Sequence, residues 1–267
     1  MKLLIILKVI RKFNKFIKIL YVILHDIFFL KSIKKSNFLN CNETLDFLLK
    51  NNSSFIRWGD AESQLVFGID VYYQKVDKDL QDYLYKILKD YIYGTNYLLA
   101  LPNMYLEKSF YQLLRIGKFN IWLSTKYLFW KYCDLNKTYG EAFIFRKNEP
   151  LSKEQISKLW ITVKNIIFIH PEEKVSNDFK LEYPNKNVFY INVKSENAFF
   201  NLKQTLNNVL NIISINKIEA TSLKILISAG PTADILIYEL SAMGYICYDM
   251  GHFFKLKFYG IKDKDYK

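Results

Sequence analysis

The 267-residue chain is short of the residues that punctuate, bend or staple a protein. Nine Gly and five Pro exclude collagen-like and linker-rich architectures. The three cysteines, Cys41, Cys133 and Cys247, are odd in number and far apart. They make neither a disulfide framework nor a CxxC metal knuckle, which points to a reducing compartment. No apolar run approaches the roughly 20 residues a membrane-spanning helix needs. The longest clean runs, such as residues 19–24, are far shorter. Neither GxxxxGK[ST] nor GxGxxG occurs, so the two best-known phosphate loops are absent. No internal repeat and no Pro/Ser-rich linker divides residues 37–267, which read as one domain.

What is present is ample core material. Hydrophobic residues make up 51% and charged residues 24%, which argues against disorder. The net charge is +12, of which +8 falls on residues 1–35, with nine Lys/Arg against Asp26 alone. A basic balance so confined speaks against a nucleic-acid partner. Lys8, Arg11, Lys12, Lys15 and Lys18 recur at helical spacing, with Ile and Phe residues filling much of the remaining circumference. Charges threaded through the apolar positions do not fit a cleavable leader, whose charges precede its apolar block. Residues 1–36 therefore read as a basic amphipathic helix lying on an anionic membrane surface. The alternative is that its apolar face docks on its own domain.

Strands are expected at 54–58, 97–101, 165–169, 187–193, 224–228 and 245–249. Helices are expected at 77–93, 104–116, 119–130, 198–213 and 231–243, with a weaker one at 175–181. Residues 143–145 read as a strand or lid segment. Alternation of strands and helices predicts an α/β fold, a Rossmann-like, mostly parallel sheet flanked by helices. Ligands of such sheets sit beyond the carboxyl ends of the strands. That rule selects residues 59–62, 170–173, 195–197, 229–232 and 249–252, which are rich in polar residues and Gly.

Three of these strand ends carry recognisable chemistry. Arg57-Trp58-Gly59-Asp60-Ala61-Glu62 places a D-x-E pair on a bend. Two such carboxylates suit Mg²⁺ or Mn²⁺, which prefer hard oxygens and bridge to phosphates. Acids in the first turn of an ordinary helix would look the same. Ser228-Ala229-Gly230-Pro231-Thr232 ends a strand and opens a helix. Its free N–H groups and positive dipole end suit a phosphate or carboxylate, though an ordinary turn has the same pattern. Asp249-Met250-Gly251-His252 closes a strand with a carboxylate and an imidazole, which can ligate a metal, move a proton or cap a turn.

Together and in this order, the pieces resemble the GT-D-fold glycosyltransferases of bacteria. RWGDAE is similar to that family's RFGDGE signature. AGPTADILIYEL followed by GYICYDMGH resembles its C-terminal GPTA and DxGH segments. Lys194-Ser195-Glu196-Asn197-Ala198-Phe199 is similar to its PxxNAF segment, and Phe143-Ile144-Phe145-Arg146 to its FxSR segment. The resemblance runs from about Phe55 to His252.

It implies a metal-dependent hexosyltransferase using a nucleotide-sugar donor, UDP-hexose above all, with Mn²⁺ or Mg²⁺ as cofactor. The acceptor would be a surface glycan, glycolipid or glycoprotein, in cell-surface polysaccharide biosynthesis at the inner face of the plasma membrane. On this reading Asp60, Glu62 and His252 hold the metal. Arg57, Gly59, Arg146, Ser195, Asn197, Gly230, Pro231 and Thr232 bind the donor. Glu172, Glu173 and Asp249 are the candidate catalytic acids. The chain departs from the pattern at Ala61, at His170-Pro171-Glu172-Glu173, and after His252, where Phe253-Phe254-Lys255 replaces an acidic stretch. Those departures keep two alternatives: a metal-dependent nucleotide phosphotransferase or hydrolase, and an inactive membrane-associated scaffold of the same fold.

Overall fold

Alternating buried apolar runs and amphipathic segments assemble one seven-stranded sheet whose assigned pairings are all parallel. The computed structural model describes residues 2–33, 38–91, 96–146 and 151–260, with the backbone alone for residues 2–12 and 33. The chain opens with α1 (Lys2–Ile33) and α2 (Cys41–Asn51), then β1 (Ser54–Arg57), α3 (Asp60–Val66) and α4 (Lys78–Asp90). Next come β2 (Tyr97–Leu101), α5 (Asn103–Leu106), α6 (Phe110–Arg115), α7 (Phe119–Tyr132) and the two-residue β3 (Gly140–Glu141). The second half runs α8 (Lys153–Ile161), β4 (Asn165–His170), α9 (Glu173–Glu182), β5 (Asn187–Asn192) and α10 (Leu202–Ile215). It ends β6 (Leu223–Ile227), α11 (Pro231–Ala242), β7 (Cys247–Asp249) and α12 (Phe253–Tyr259).

The spatial order is β3-β2-β1-β7-β6-β4-β5. Fully buried strands such as Tyr97–Leu101 and Leu223–Ile227 are covered on both faces, as parallel sheets require. One core layer gathers Ile56, Leu99, Ile225 and Leu236; the other gathers Phe55, Leu98, Phe168 and Trp160. β1 feeds outward to β2 and β3, and β7 lies on its other side. The order therefore reverses at the β1–β7 seam, where a ligand crevice is expected.

The α/β reading holds, with local differences. The expected 104–116 helix is two short helices, because Ser109 opens a new capping box with Gln112. Residues 198–213 begin as a 3₁₀ turn over Ala198–Asn201 before α10. Residues 142–145 form turns after β3 rather than a strand. α2, with its Asn40–Glu43 capping box, and α8 had no counterpart in the pattern reading.

Both destinations considered for α1 bear on the structure. Val22 and Asp26 are buried against α6 and α7, so one face docks on the domain. The opposite face stays exposed. Among the described residues no helix is long and apolar enough to cross a membrane. The side chains of Lys8, Arg11 and Lys12, the 36/37 domain boundary and residues 92–93 and 261–267 lie outside the described residues.

Candidate functional site

A cleft of about 350 Å³ opens at the carboxyl ends of the strands. Its wall includes Arg57, Gly59, Asp60 and Glu62 after β1, and Ser228–Gly230 after β6. Asp249–His252 after β7, His170 and Pro171 after β4, and Lys194–Glu196 after β5 complete that edge. Arg146, Lys255, Tyr72 and Tyr73 close the cleft from outside the sheet.

The D-x-E residues occupy the first turn of α3. Glu62, at the third position of the helix, reaches back to its start, its Oε2 accepting the Gly59 N–H at 2.7 Å, with no side chain on Gly59 to reciprocate. The helix is fixed further by Trp58, whose Nε1 donates to Ser63 Oγ at 2.9 Å, and by the Ser63 hydroxyl donating to the Gly59 carbonyl at 2.9 Å. Burial, with lesser contributions from the Asp60 and Asp249 charges, pushes the Glu62 carboxyl up to about 7. Burial also raises Asp60, against the opposing pull of the Arg146 guanidinium.

Asp249 is held rather than free. Its Oδ2 accepts from Arg57 Nε at 2.9 Å and its Oδ1 accepts the Gly251 N–H at 2.9 Å. Arg57 Nε also donates to the Asp249 carbonyl at 3.0 Å. The guanidinium is therefore a brace across the β1–β7 seam. Gly251 has φ +48°, and a Cβ there would meet Arg57 Nη2 at 2.1 Å, so only glycine permits this approach. Behind the pair lies Asp234 of α11, fully buried, with Arg57, Glu62 and Asp249 as its charged neighbours. Burial, then the Glu62 and Asp249 charges, raises Asp234 well above the usual carboxylate range. Its Oδ2 and the Thr232 hydroxyl are buried without a hydrogen-bond partner.

The other expected residues divide between wall and support. Gly230 lines the cleft at φ +56°, and a Cβ there would meet the Tyr73 ring at 3.1 Å. The α11 N-terminus it opens takes no side-chain cap. Pro231 and Thr232 are buried behind it, outside the wall, because they already belong to the packed first turn of α11. Ser195 lines the cleft, whereas Asn197 works one layer out. Asn197 Oδ1 accepts the Lys75 N–H at 2.8 Å and its own N–H donates to the Tyr73 carbonyl at 2.8 Å. It thereby pins the loop that carries Tyr72 and Tyr73.

Glu172 and Glu173 lie outside the wall: Glu172 pairs with Lys255, and Glu173 is exposed in the first turn of α9. His252 is on the wall and exposed, with His170 among its electrostatic neighbours. Among the described residues no group of three or more His, Cys, Asp or Glu is placed to hold a metal, so Asp60, Glu62 and His252 do not form a three-ligand centre.

Sequence reasoning gave no role to Lys194, Lys255, Tyr73 or Asp234, and reached His170 only as part of the 170–173 strand end. His170 is buried, and its Nδ1 accepts the Glu172 N–H at 2.9 Å. Burial and the Lys255 charge push its pKa down to about 4, which keeps the ring neutral at pH 7. Its place at the end of an apolar strand was the available signal.

Comparison with known proteins agrees with this geometry. The family model described as "Glycosyltransferase GT-D fold" matches residues 55–259. Over 224 residues the chain is 26% identical to "Glycosyltransferase GlyD" of Streptococcus pneumoniae serotype 4, covering 79% of this chain and 26% of that protein. Over 228 residues it is 25% identical to "Probable glycosyl transferase Gly" of Streptococcus gordonii, covering 80% of this chain and 31% of that one. The chain thus spans under a third of the length of either relative. A solved structure of the domain of unknown function 1792, described as having a distinct glycosyltransferase fold, superposes with a TM-score of 0.68 at 24% identity. That match covers 86% of this chain and 84% of the other. The chain belongs to the GT-D-fold glycosyltransferase family.

Proposed function

We propose that this chain transfers a hexosyl group from a nucleotide-sugar donor, UDP-hexose above all, to a glycan, glycolipid or glycoprotein acceptor. We place the reaction on the cytoplasmic side of the plasma membrane, in surface-polysaccharide assembly. The observation that carries the reading is the meeting, in one cleft, of the Asp60–Glu62 turn and the uncapped Gly230 turn. The first offers carboxylates to a cation, the second an N-terminal helix dipole to a phosphate.

Two carboxylates suit Mg²⁺ or Mn²⁺ as far as the donor set goes. Such ions are commonly held by one or two carboxylates, with waters and substrate phosphates completing the shell. Asp60 and Glu62 would hold the ion, which would neutralise the charge that develops on the departing nucleoside diphosphate. Arg146, beside Asp60, and Lys194 add positive charge to the same wall. Arg57 acts one step back: its guanidinium is committed to Asp249, so it orients the seam instead of gripping the donor. The Tyr72–Tyr73 loop offers aromatic faces, Tyr72 being 79% exposed at the cleft mouth.

A panel of nucleotide sugars with Mn²⁺ or Mg²⁺, read as released nucleoside diphosphate with and without acceptor glycans, tests this. Acceptor-stimulated release from one donor is the expected result. Phosphate release from simple nucleotides would favour a hydrolase, and no turnover of any donor would favour a scaffold.

A further inference from the structure

We infer that the outward face of α1 is a docking surface for an anionic phospholipid bilayer, and that it seats the protein with its cleft beside the membrane. The docked side of the helix is defined by Val22 and Asp26. On the far side, Phe13, Phe16, Leu20, Leu24, Ile27 and Phe28 recur at helical spacing, and all six are exposed. Ile27 is 69% and Phe28 70% exposed. At 1.5 Å per residue this row is about 24 Å long, with no charged side chain within it.

Charge selects the occupant. Asp26 is the only acid among the first 35 residues, and it is turned inward. Its Oδ1 pairs with Lys126 Nζ at 3.0 Å and accepts from Trp130 Nε1 at 3.1 Å, while its Oδ2 accepts the Phe110 N–H at 2.6 Å. The first 35 residues therefore carry +8 with their one acid hidden, although among the described cations Lys15 donates to Asn120 Oδ1 at 3.0 Å and Lys18 sits over Phe67, both on the domain side, and Lys31 is exposed. A second copy pairing along this row would bring two segments of +8 together. An anionic bilayer attracts the charges and takes up the apolar row, which is the behaviour of an interfacial helix.

Continuity with the cleft gives the seat a purpose. Lys18 Nζ lies 3.1 Å from the centroid of Phe67, the residue that ends α3. α7, on which α1 docks, reaches the D-x-E turn through the Thr125 hydroxyl, which donates to the Gly59 carbonyl at 3.5 Å. One helix separates the proposed bilayer contact from Asp60.

The test is flotation of the full chain with two kinds of vesicle, pure phosphatidylcholine and an equal mixture of phosphatidylcholine and phosphatidylglycerol. Neither donor nor turnover is involved, so the result is independent of the proposed transferase activity. The wild type should float with the anionic vesicles alone. Leu20→Glu/Leu24→Glu/Ile27→Glu should cut that binding about tenfold or more, with an unchanged melting temperature. Should that variant melt early, Lys8→Gln/Arg11→Gln/Lys12→Gln serves instead, and should weaken binding to the anionic vesicles to a similar degree. Binding by the folded glutamate variant equal to wild type would overturn the inference. So would a wild type that floats with neither vesicle, or a wild-type dimer that the variant converts to monomers without any vesicle binding.

Discussion

Arg57 and Asp249 stand 192 residues apart in sequence and 2.9 Å apart in space, joining the ends of β1 and β7 in the wall of the cleft. The contact is two-sided, since Asp249 also accepts the Gly251 N–H and Gly251 must lack a Cβ to clear the guanidinium. Removing either charge leaves the other largely buried and uncompensated. Asp249→Ala should lower stability by about 3 kcal/mol in urea unfolding, and Arg57→Lys should recover only part of the wild-type value. An Asp249→Ala midpoint equal to wild type would show that the brace contributes nothing.

Asp60 lines the cleft and leaves the Gly59 N–H to Glu62, so its loss should be felt by ligand more than by fold. Asp60→Ala should reduce Mn²⁺-dependent donor turnover at least about a hundredfold, as expected when charge stabilisation at the leaving group is lost. Its melting temperature should stay near wild type. Calorimetry with donor and Mn²⁺ separates lost binding from lost chemistry.

Glu62 sets a pH dependence of known sign. Its carboxyl titrates at 4.5 when unfolded and at about 7 in the fold, so folding favours its protonated form. The associated stability is fully present below pH 4.5 and is lost as pH rises through about 7. Glu62→Gln should flatten the stability profile across that window. Because a cation needs the carboxylate, stabilisation by Mn²⁺ should grow with pH over the same range in wild type and not in the variant. Thermal unfolding at several pH values, with and without Mn²⁺, gives both slopes.

The Asp26–Lys126 pair makes the docking of α1 a folding matter. Asp26→Ala strands a buried ammonium, an indole N–H and the Phe110 N–H, and should cost about 3–5 kcal/mol. Asp26→Asn/Lys126→Met removes both charges and should recover much of that loss. Equal denaturation midpoints for the single and double variants would contradict the assignment.

The sheet was legible because each core strand is an apolar run that stops at a polar or glycine turn, as at Ile227–Ser228 and Ile169–His170. The cleft followed from that, since strand ends converge whenever the strands are parallel. Side-chain roles within it were less legible. Nothing local to Glu62 tells a metal ligand from an acid that satisfies the helix's first N–H, since both want a carboxylate in the first turn. Asp234 reads as an unremarkable acid in a helix until Arg57 is seen beneath it. The partner of Asp26 lies 100 residues away, and no periodicity in α1 announces it. The split between α5 and α6 was written in Ser109-x-x-Gln112, a start signal that the apolar spacing overran.

The position of β7 bears on how the chain is born. Among the described residues it is the last strand in sequence and the fourth of seven in space, wedged between β1 and β6. The strands β1–β3 and β4–β6 therefore leave the ribosome as two separate ribbons, each with an unfilled edge. Cys247–Asp249, paired to β1 through Phe55 and Tyr248 and to β6 through three residues, joins them. A nascent chain that has not yet released this tripeptide has neither the Arg57 brace nor a complete cleft. Maturation of the site is thus tied to the emergence of β7, and the open edges of β1 and β6 are where chaperones would be needed until then.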